Sequence, residues 1–173
     1  DNPEFASQAG FHSSGGMLQD LGPSSWDRRR EHNASVLRRL QALDLNAPGV
    51  HPRQRLNAKL LETALVGETR GIELGCHLCP LNSGRGGGVH ENFLELLEWM
   101  PFDTEDDFKK YLERLRAFPA QVQGFQDLLE YGARERRMVV SKSMLRSVPH
   151  RLKELISSDL AQLRAPLRGH ELD

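Results

Sequence analysis

Apolar residues along this chain recur mostly at intervals of three and four, the spacing that lines one face of an α-helix, and period-two alternation is scarce. Val36, Leu37, Leu40 and Leu43 form the first stripe, with arginines opposite, and Ser24 and Ser25 offer an N-cap ahead of it. The pattern predicts that this helix stops near Pro48-Gly49. A second helix starts at Pro52, whose fixed φ suits a first turn, and carries Leu56, Leu60, Ala64, Gly67 and Gly71. Its small residues would let a neighbour pack closely. Phe93, Leu96, Leu97 and Met100 mark a short helix ending at Pro101. Thr104 stands three residues before Asp107, a capping-box-like start with Asp in place of the preferred Glu or Gln. It opens the clearest stripe in the chain, Phe108, Tyr111, Leu112, Leu115 and Phe118, which the pattern closes at Pro119. Val122, Phe125, Leu128 and Leu129 carry a further helix to about Gly132. In the last third, Met144, Leu145 and Val148, then Leu152, Leu155, Ile156, Leu160 and Leu163, read as one helix broken or kinked at Pro149.

Three segments lack this period. Asp1 to Pro23 holds four glycines and several serines and reads as an extended or short-turn arm that docks on the core. Gly75 to His90 breaks every helical pattern, since glycine costs about 1 kcal/mol and proline about 3 in a helix interior. It reads as a long Gly-rich loop, and loops of that length in a compact domain are usually functional or poorly ordered. Arg164 to Asp173 is a polar tail. The expected class is therefore all-α: one bundle-like domain over residues 1–173, of about six helices, with an extended N-terminal arm (1–23), one Gly-rich loop (75–90) and a polar tail (164–173).

Composition narrows the classes. With 173 residues, 38% of them hydrophobic, one sizeable core is within reach. The balance of 23 Lys+Arg against 24 Asp+Glu excludes a globally basic nucleic-acid binder and a disordered polyelectrolyte. No apolar run approaches the ~20 residues needed to span a bilayer. Two cysteines cannot build a multi-disulfide scaffold. The chain opens on Asp1 rather than Met, which reads as a processed or excised product.

Cys76 and Cys79 form a C-x-x-C, the spacing of half a zinc site or a redox disulfide, and His77 and His90 are near enough in sequence to add nitrogen ligands. A second ligand pair and a βαβ context are both missing, and Pro80 stands where a haem attachment needs histidine. The favoured reading is two small loop cysteines packed inward, free or joined. Gly84, Gly86, Gly87 and Gly88 with Arg85 could present N–H groups to a phosphate, yet no Lys-Ser or Lys-Thr closes the cradle, so a flexible loop is favoured. Seven carboxylates between Glu91 and Asp107 meet no Lys or Arg within their stretch, whereas Arg134, Arg136, Arg137, Lys142, Arg146, Arg151 and Lys153 cluster later. A solvated basic face with intrachain pairing is favoured over nucleic-acid binding, because the interleaving residues are apolar rather than aromatic. His90-Glu91 and His170-Glu171 each begin the two-histidine zinc-protease signature and neither completes it. No Gly-x-Ser-x-Gly elbow is present. Asn33-Ala34-Ser35 is an N-glycosylation sequon that permits a secreted or extracytoplasmic origin.

The order of these segments resembles the N-terminal part of a bacterial and eukaryotic family, the domain of unknown function 885 family. The resemblance opens on Asn2-Pro3-Glu4-Phe5-Ala6-Ser7 followed by Gly10, continues through Leu18 and Asp20, Arg39-Leu40, Leu43 and Asp44, and Arg55-Leu56-Asn57 with Leu60-Leu61, and reaches Pro80-Leu81-Asn82. Its most specific run is Met100-Pro101-Phe102-Asp103-Thr104-Glu105-Asp106, continued by Tyr111-Leu112-Glu113-Arg114-Leu115 and Pro119. The resemblance implies a mostly helical fold and, in full-length members, a zinc metallopeptidase of the gluzincin type whose His-Glu helix lies C-terminal to the region matched here. No zinc ligand or catalytic base carries over to any residue of this sequence. The Cys76–Cys79 pair and the triple glycine depart from the family pattern.

The expected function is that of a noncatalytic helical region of a metallopeptidase-like protein, a scaffold and cleft wall with ligand contacts at Arg85 and His90. The alternative is a stand-alone module that binds a protein or an anionic ligand. By itself the chain should not hydrolyse peptides, and zinc would enter only with a C-terminal catalytic part. The expected partners are that catalytic region, a peptide or protein ligand, or a second copy docked through the all-round apolar Leu152 to Leu163.

Overall fold

The computed structural model describes residues 2–81, 88–135, 140–157 and 161–164. Among these residues all regular structure is helical: α1 (Pro3–Gln8), α2 (Pro23–Gln41), α3 (Pro52–Glu73), a 3-10 turn (Cys76–Leu78), α4 (Val89–Leu97), α5 (Glu105–Glu135), α6 (Lys142–Ser157) and α7 (Ala161–Arg164). The chain is all-α.

Local chemistry accounts for most helix starts. Asn2 caps α1, its side chain accepting from the Phe5 N–H at 3.0 Å, with Pro3 at the first helical position, so part of the opening arm is itself helical. Pro52 opens α3 behind a reciprocal cap: the His51 ring accepts from Arg53 N–H at 3.2 Å and the Gln54 side chain accepts from His51 N–H at 2.8 Å. Gly75, at φ +76°, ends α3 in the left-handed conformation that glycine adopts without penalty. At α5, Asp107 Oδ2 accepts from Thr104 N–H at 2.9 Å while Asp107 N–H donates to Thr104 Oγ1 at 3.2 Å. α2 differs from the reading of its sequence. Gly22 is its N-cap and Pro23 its first residue, so Ser24 and Ser25 lie inside the first turn, and the helix stops at Gln41 rather than near Pro48. The Ser25 hydroxyl donates to the Gly22 carbonyl at 2.6 Å, a local bond that spends its capping capacity.

α2 and α3 form an antiparallel hairpin. They are joined at one end by residues 42–51, and near the other end Asn33 Nδ2 donates to Glu68 at 3.1 Å and Arg29 pairs with the same carboxylate at 3.7 Å. Asn33 is only 5% exposed, so the sequon is held inside the hairpin and carries no argument about secretion. The face of α3 turned to the protein is Ala58, Leu65 and Ile72, a line at seven-residue steps. The stripe expected to pack, Leu56, Leu60, Ala64, Gly67 and Gly71, lies on the far side, with Leu56 and Leu60 57% and 59% exposed.

α5 is the central element. Its 31 residues run through Pro119 without a break, where the sequence pattern predicts two helices. Proline removes one backbone bond and crowds the preceding turn, a cost of about 3 kcal/mol. The burial on either side outweighs it. Tyr111, Leu115 and Phe118 pack into one cluster with Phe93, Leu96 and Met100, while Val122, Phe125 and Leu129 pack into a second with Leu81 and Val89. Phe118 belongs to both and lies 4.4 Å from the Phe93 ring, so splitting the helix at Pro119 would separate the clusters. α6 likewise continues through Pro149.

The opening arm is fastened to α5 by polar groups. Arg114, with no exposed surface, donates through Nε to the Met17 carbonyl at 3.0 Å and through Nη2 to Ser7 Oγ at 2.8 Å and the Pro3 carbonyl at 3.4 Å. Its Nη1 is buried without a partner. Two turns further on, Gln121 Nε2 donates to Glu4 at 2.6 Å and to the Gln19 carbonyl at 3.2 Å, and Glu4 accepts the Gln19 N–H at 3.0 Å. Gly124 allows a close approach of backbone to backbone: a Cβ there would sit 3.0 Å from the Gly22 nitrogen.

Candidate functional site

An apolar cavity of about 280 Å³ lies between α4, α5 and α6. Val89, Phe93 and Leu94 come from α4, Phe118, Val122, Phe125 and Leu129 from α5, and Val148 and Leu152 from α6, with Leu163 of α7 also lining it. These are the residues that the helical period places on the inner faces, so the hollow forms where three stripes meet without filling the space. His90 and Gln126 are the polar members of the described lining.

His90 is the second residue of α4, and its side chain is only 12% exposed. Gly88 lets the chain pass beside it, since a Cβ at that position would lie 3.2 Å from both the His90 ring and a Leu81 methyl. Burial holds the His90 pKa below the ordinary histidine value. The carboxylate of Glu91 opposes that shift and the cation of Arg151 adds to it. At neutral pH the ring is therefore uncharged and can donate one hydrogen bond and accept another. Glu91 itself is occupied: Arg151 of α6 donates to its Oε1 through Nη2 at 3.1 Å and Nε at 3.2 Å, tying α6 to α4 beside the cavity. The described lining offers His90 no nucleophile and no second titratable group. What the arrangement can do is bind an apolar group and orient it with one polar contact.

The other candidate residues are distributed differently. Arg85, Arg136, Arg137 and His170 lie outside the described residues. Cys76 is exposed and Cys79 half-buried, and both are thiols with no disulfide between them. The exposure of Cys76 departs from the inward packing expected of both. His77 stacks on Trp26 with ring centroids 4.9 Å apart, and Arg29 lies 4.6 Å over the same indole, so the His77 ring serves the junction of α2 with the 3-10 turn. Among the described residues no three His, Cys, Asp or Glu side chains gather in a way that could hold a metal ion. Arg134 pairs with Glu130 at 2.9 Å, while Lys142 and Arg146 stand exposed one turn apart on α6. The expected attraction between the acidic and basic segments takes the form of Arg151–Glu91. Glu105 and Asp106 pair within α5, with Lys109 at 2.8 Å and Lys110 at 2.6 Å. Of the apolar run Leu152 to Leu163, Leu152 and Leu163 line the cavity, Leu152 remains 37% exposed and Ile156 is 70% exposed. No helix of the described residues is long and apolar enough to cross a membrane.

The sequence model of a family described as "Bacterial protein of unknown function (DUF885)" matches residues 3–171. The chain belongs to the DUF885 family. No curated protein matches it, and no solved structure does. In this DUF885 protein the run Met100 to Asp106 is structural. Met100 is buried, Phe102 meets Tyr111 edge-on at 5.5 Å and Phe108 at 5.6 Å, and Thr104 caps α5. The run sets the turn between α4 and α5 and thereby the shape of the cavity.

Sequence reasoning missed Gln126 and the buried Arg114, and it gave the pairing of the acidic and basic segments without singling out Glu91 and Arg151. A glutamine among helical apolar positions carries no signal of its own, and the partners of Arg114 lie 97 to 111 residues away in sequence.

Proposed function

We propose that this DUF885 region is a noncatalytic helical scaffold that supplies the wall of a ligand cleft in a metallopeptidase-like protein, receiving an apolar side chain of a peptide in the His90 cavity. The observation that carries this reading is the cavity's make-up: apolar throughout, with a neutral imidazole and one amide as its polar groups. Such a lining favours a leucine-like group next to an uncharged peptide bond, which His90 or Gln126 can hydrogen-bond. Burying one such side chain is worth about 1.5–3 kcal/mol, so isolated peptides bind weakly.

The test is an NMR titration with N-acetyl-leucinamide and, separately, N-acetyl-glycinamide. The leucine compound should shift His90, Val148 and Leu152 resonances in a saturable way, and the glycine compound should not. A Val148→Trp variant, which fills the hollow, should lose the response. Equal responses to both compounds, or none to either, would end the proposal. Peptide hydrolysis by the chain with added zinc would refute its noncatalytic part. The second reading, a stand-alone interaction module, is favoured by the open apolar face of α3.

A further inference from the structure

α6 stands out from the body of the protein. None of its described side chains is buried, and only Met144, Ser147 and Val148 are half-buried. Val148 and Leu152 turn toward the cavity, which fixes the rotation of the helix and with it what the outer edge presents. At about 100° per residue, the sector next to Leu152 carries Leu145, Ile156 and Pro149, and directly beyond them come Lys142, Lys153 and Arg146. These six residues fill about 100° of the helix circumference with apolar and cationic groups alone. All six are exposed, Leu145 by 53% and Ile156 by 70%. The apolar row, Leu145 to Ile156, and the cationic row, Lys142 to Lys153, each run about 17 Å along the axis at 1.5 Å per residue.

Lys142, Arg146 and Lys153 make no ion pair among the described residues, whereas Arg134 and Arg151 are matched by Glu130 and Glu91. Glu154, the one carboxylate of α6, lies about 80° beyond Arg146 and is engaged by the His150 ring at 3.2 Å and by Arg151 at 3.8 Å. Whatever covers this edge must therefore offer negative charge and hydrocarbon side by side. Nucleic acid supplies the charge, but the edge holds no aromatic side chain on which bases could stack. A groove on a partner protein would take the apolar face of the helix, and that face already lines the cavity. Two parallel rows on a protruding edge fit a plane. We propose that the edge rests on an anionic lipid surface, α6 lying along the interface with Leu145 and Ile156 among the acyl chains and the three cations at the headgroup phosphates. Three cations and a narrow apolar row hold the chain there peripherally and reversibly.

Flotation of the whole 173-residue chain with vesicles of phosphatidylcholine alone, and with vesicles of equal parts phosphatidylcholine and phosphatidylglycerol, tests this. The chain should bind the second and not the first, and less as salt rises. Lys142→Gln, Arg146→Gln and Lys153→Gln should each weaken binding about fivefold. Lys59→Gln, which removes the same charge from an exposed site on α3, should leave it unchanged. Leu145→Gln and Ile156→Gln keep the charge and should each weaken binding roughly tenfold, since each takes an apolar side chain out of the acyl layer. Every substituted position is exposed, so circular dichroism should not change. Binding to neither vesicle, equal binding to both, or a fivefold loss in Lys59→Gln would overturn the proposal. So would binding indifferent to Leu145→Gln and Ile156→Gln, which would assign the cations to a polyanion without hydrocarbon, such as an acidic protein segment.

Discussion

Replacing Arg114 with methionine tests whether one buried cation holds the opening arm on α5. The methionine fills much of the same space and removes every donor. The Met17 carbonyl and Ser7 Oγ then lose a charged partner, whereas the Pro3 carbonyl keeps the Ser7 hydroxyl, which donates to it at 3.1 Å. Each buried acceptor left unmatched costs about 1–3 kcal/mol. Against this, the variant no longer buries a guanidinium whose Nη1 is unpartnered and whose burial the charge of Glu4 offsets only in part, a relief of about 1–2 kcal/mol. Taking the middle of each range, the net loss is about 2.5 kcal/mol, or a fall in Tm of roughly 5–10 °C for a chain of this size. The loss should also be local. Hydrogen exchange at the Gln19 amide, held by Glu4, should quicken more than at Leu128 in the core of α5, and protease should cut first within residues 9–20. A variant as stable as the parent, with unchanged protection at Gln19, would refute the reasoning, since the arm would then be held by apolar contacts such as Leu18 and Leu21.

Two further outcomes follow from the titratable groups. The folded chain holds His90 below its ordinary pKa, so the unfolded state takes up the proton first as pH falls. Stability from this group is complete above about pH 6.5 and is lost on acidification through the window below it. The drop in Tm between about pH 7.5 and about pH 5.5 should therefore shrink in His90→Gln, and an unchanged drop would show that other groups carry it. Thr104→Ala should cost about 1 kcal/mol as a lost N-cap. It should also let the Asp107 pKa rise toward the ordinary aspartate value, because the Thr104 hydroxyl is the main cause of its depression. An NMR pH titration that finds Asp107 unmoved would contradict that assignment.

Much of the helical architecture was legible in the residues. Pro52 does open α3, Thr104 and Asp107 do cap α5, and the Phe93–Met100 stripe does face the core. Each rests on interactions within one turn of helix, where the sequence carries nearly all the physics. The errors share another cause. Pro119 reads as a terminator from its local cost, yet Phe118 beside it bridges both apolar clusters, and burial contributed by α4 and the arm outweighs the lost bond. Of the candidate residues, His90 was visible because a histidine beside Gly-rich chain stands out. Gln126 and Arg151 do not stand out as site residues, because only packing gives them roles.

α3 shows the division most plainly. Its sequence determines that a helix forms and that it has two apolar lines, one of leucines and small residues and one of Ala58, Leu65 and Ile72. Periodicity is a property of the segment alone and cannot rank the two. The choice depends on where α2 and the 3-10 turn lie: they cover the Ala58–Leu65–Ile72 side, with Asn33 and Arg29 meeting Glu68, and leave the stronger-looking stripe outward. In the same way periodicity in the sequence predicts an all-α chain, and no apolar run in it approaches the ~20 residues needed to span a bilayer. Whether an arginine lies in solvent or at the centre of a polar clasp is decided by carbonyls brought from the far end of the sequence, since hydrogen bonding is settled by distance in space and not along the chain.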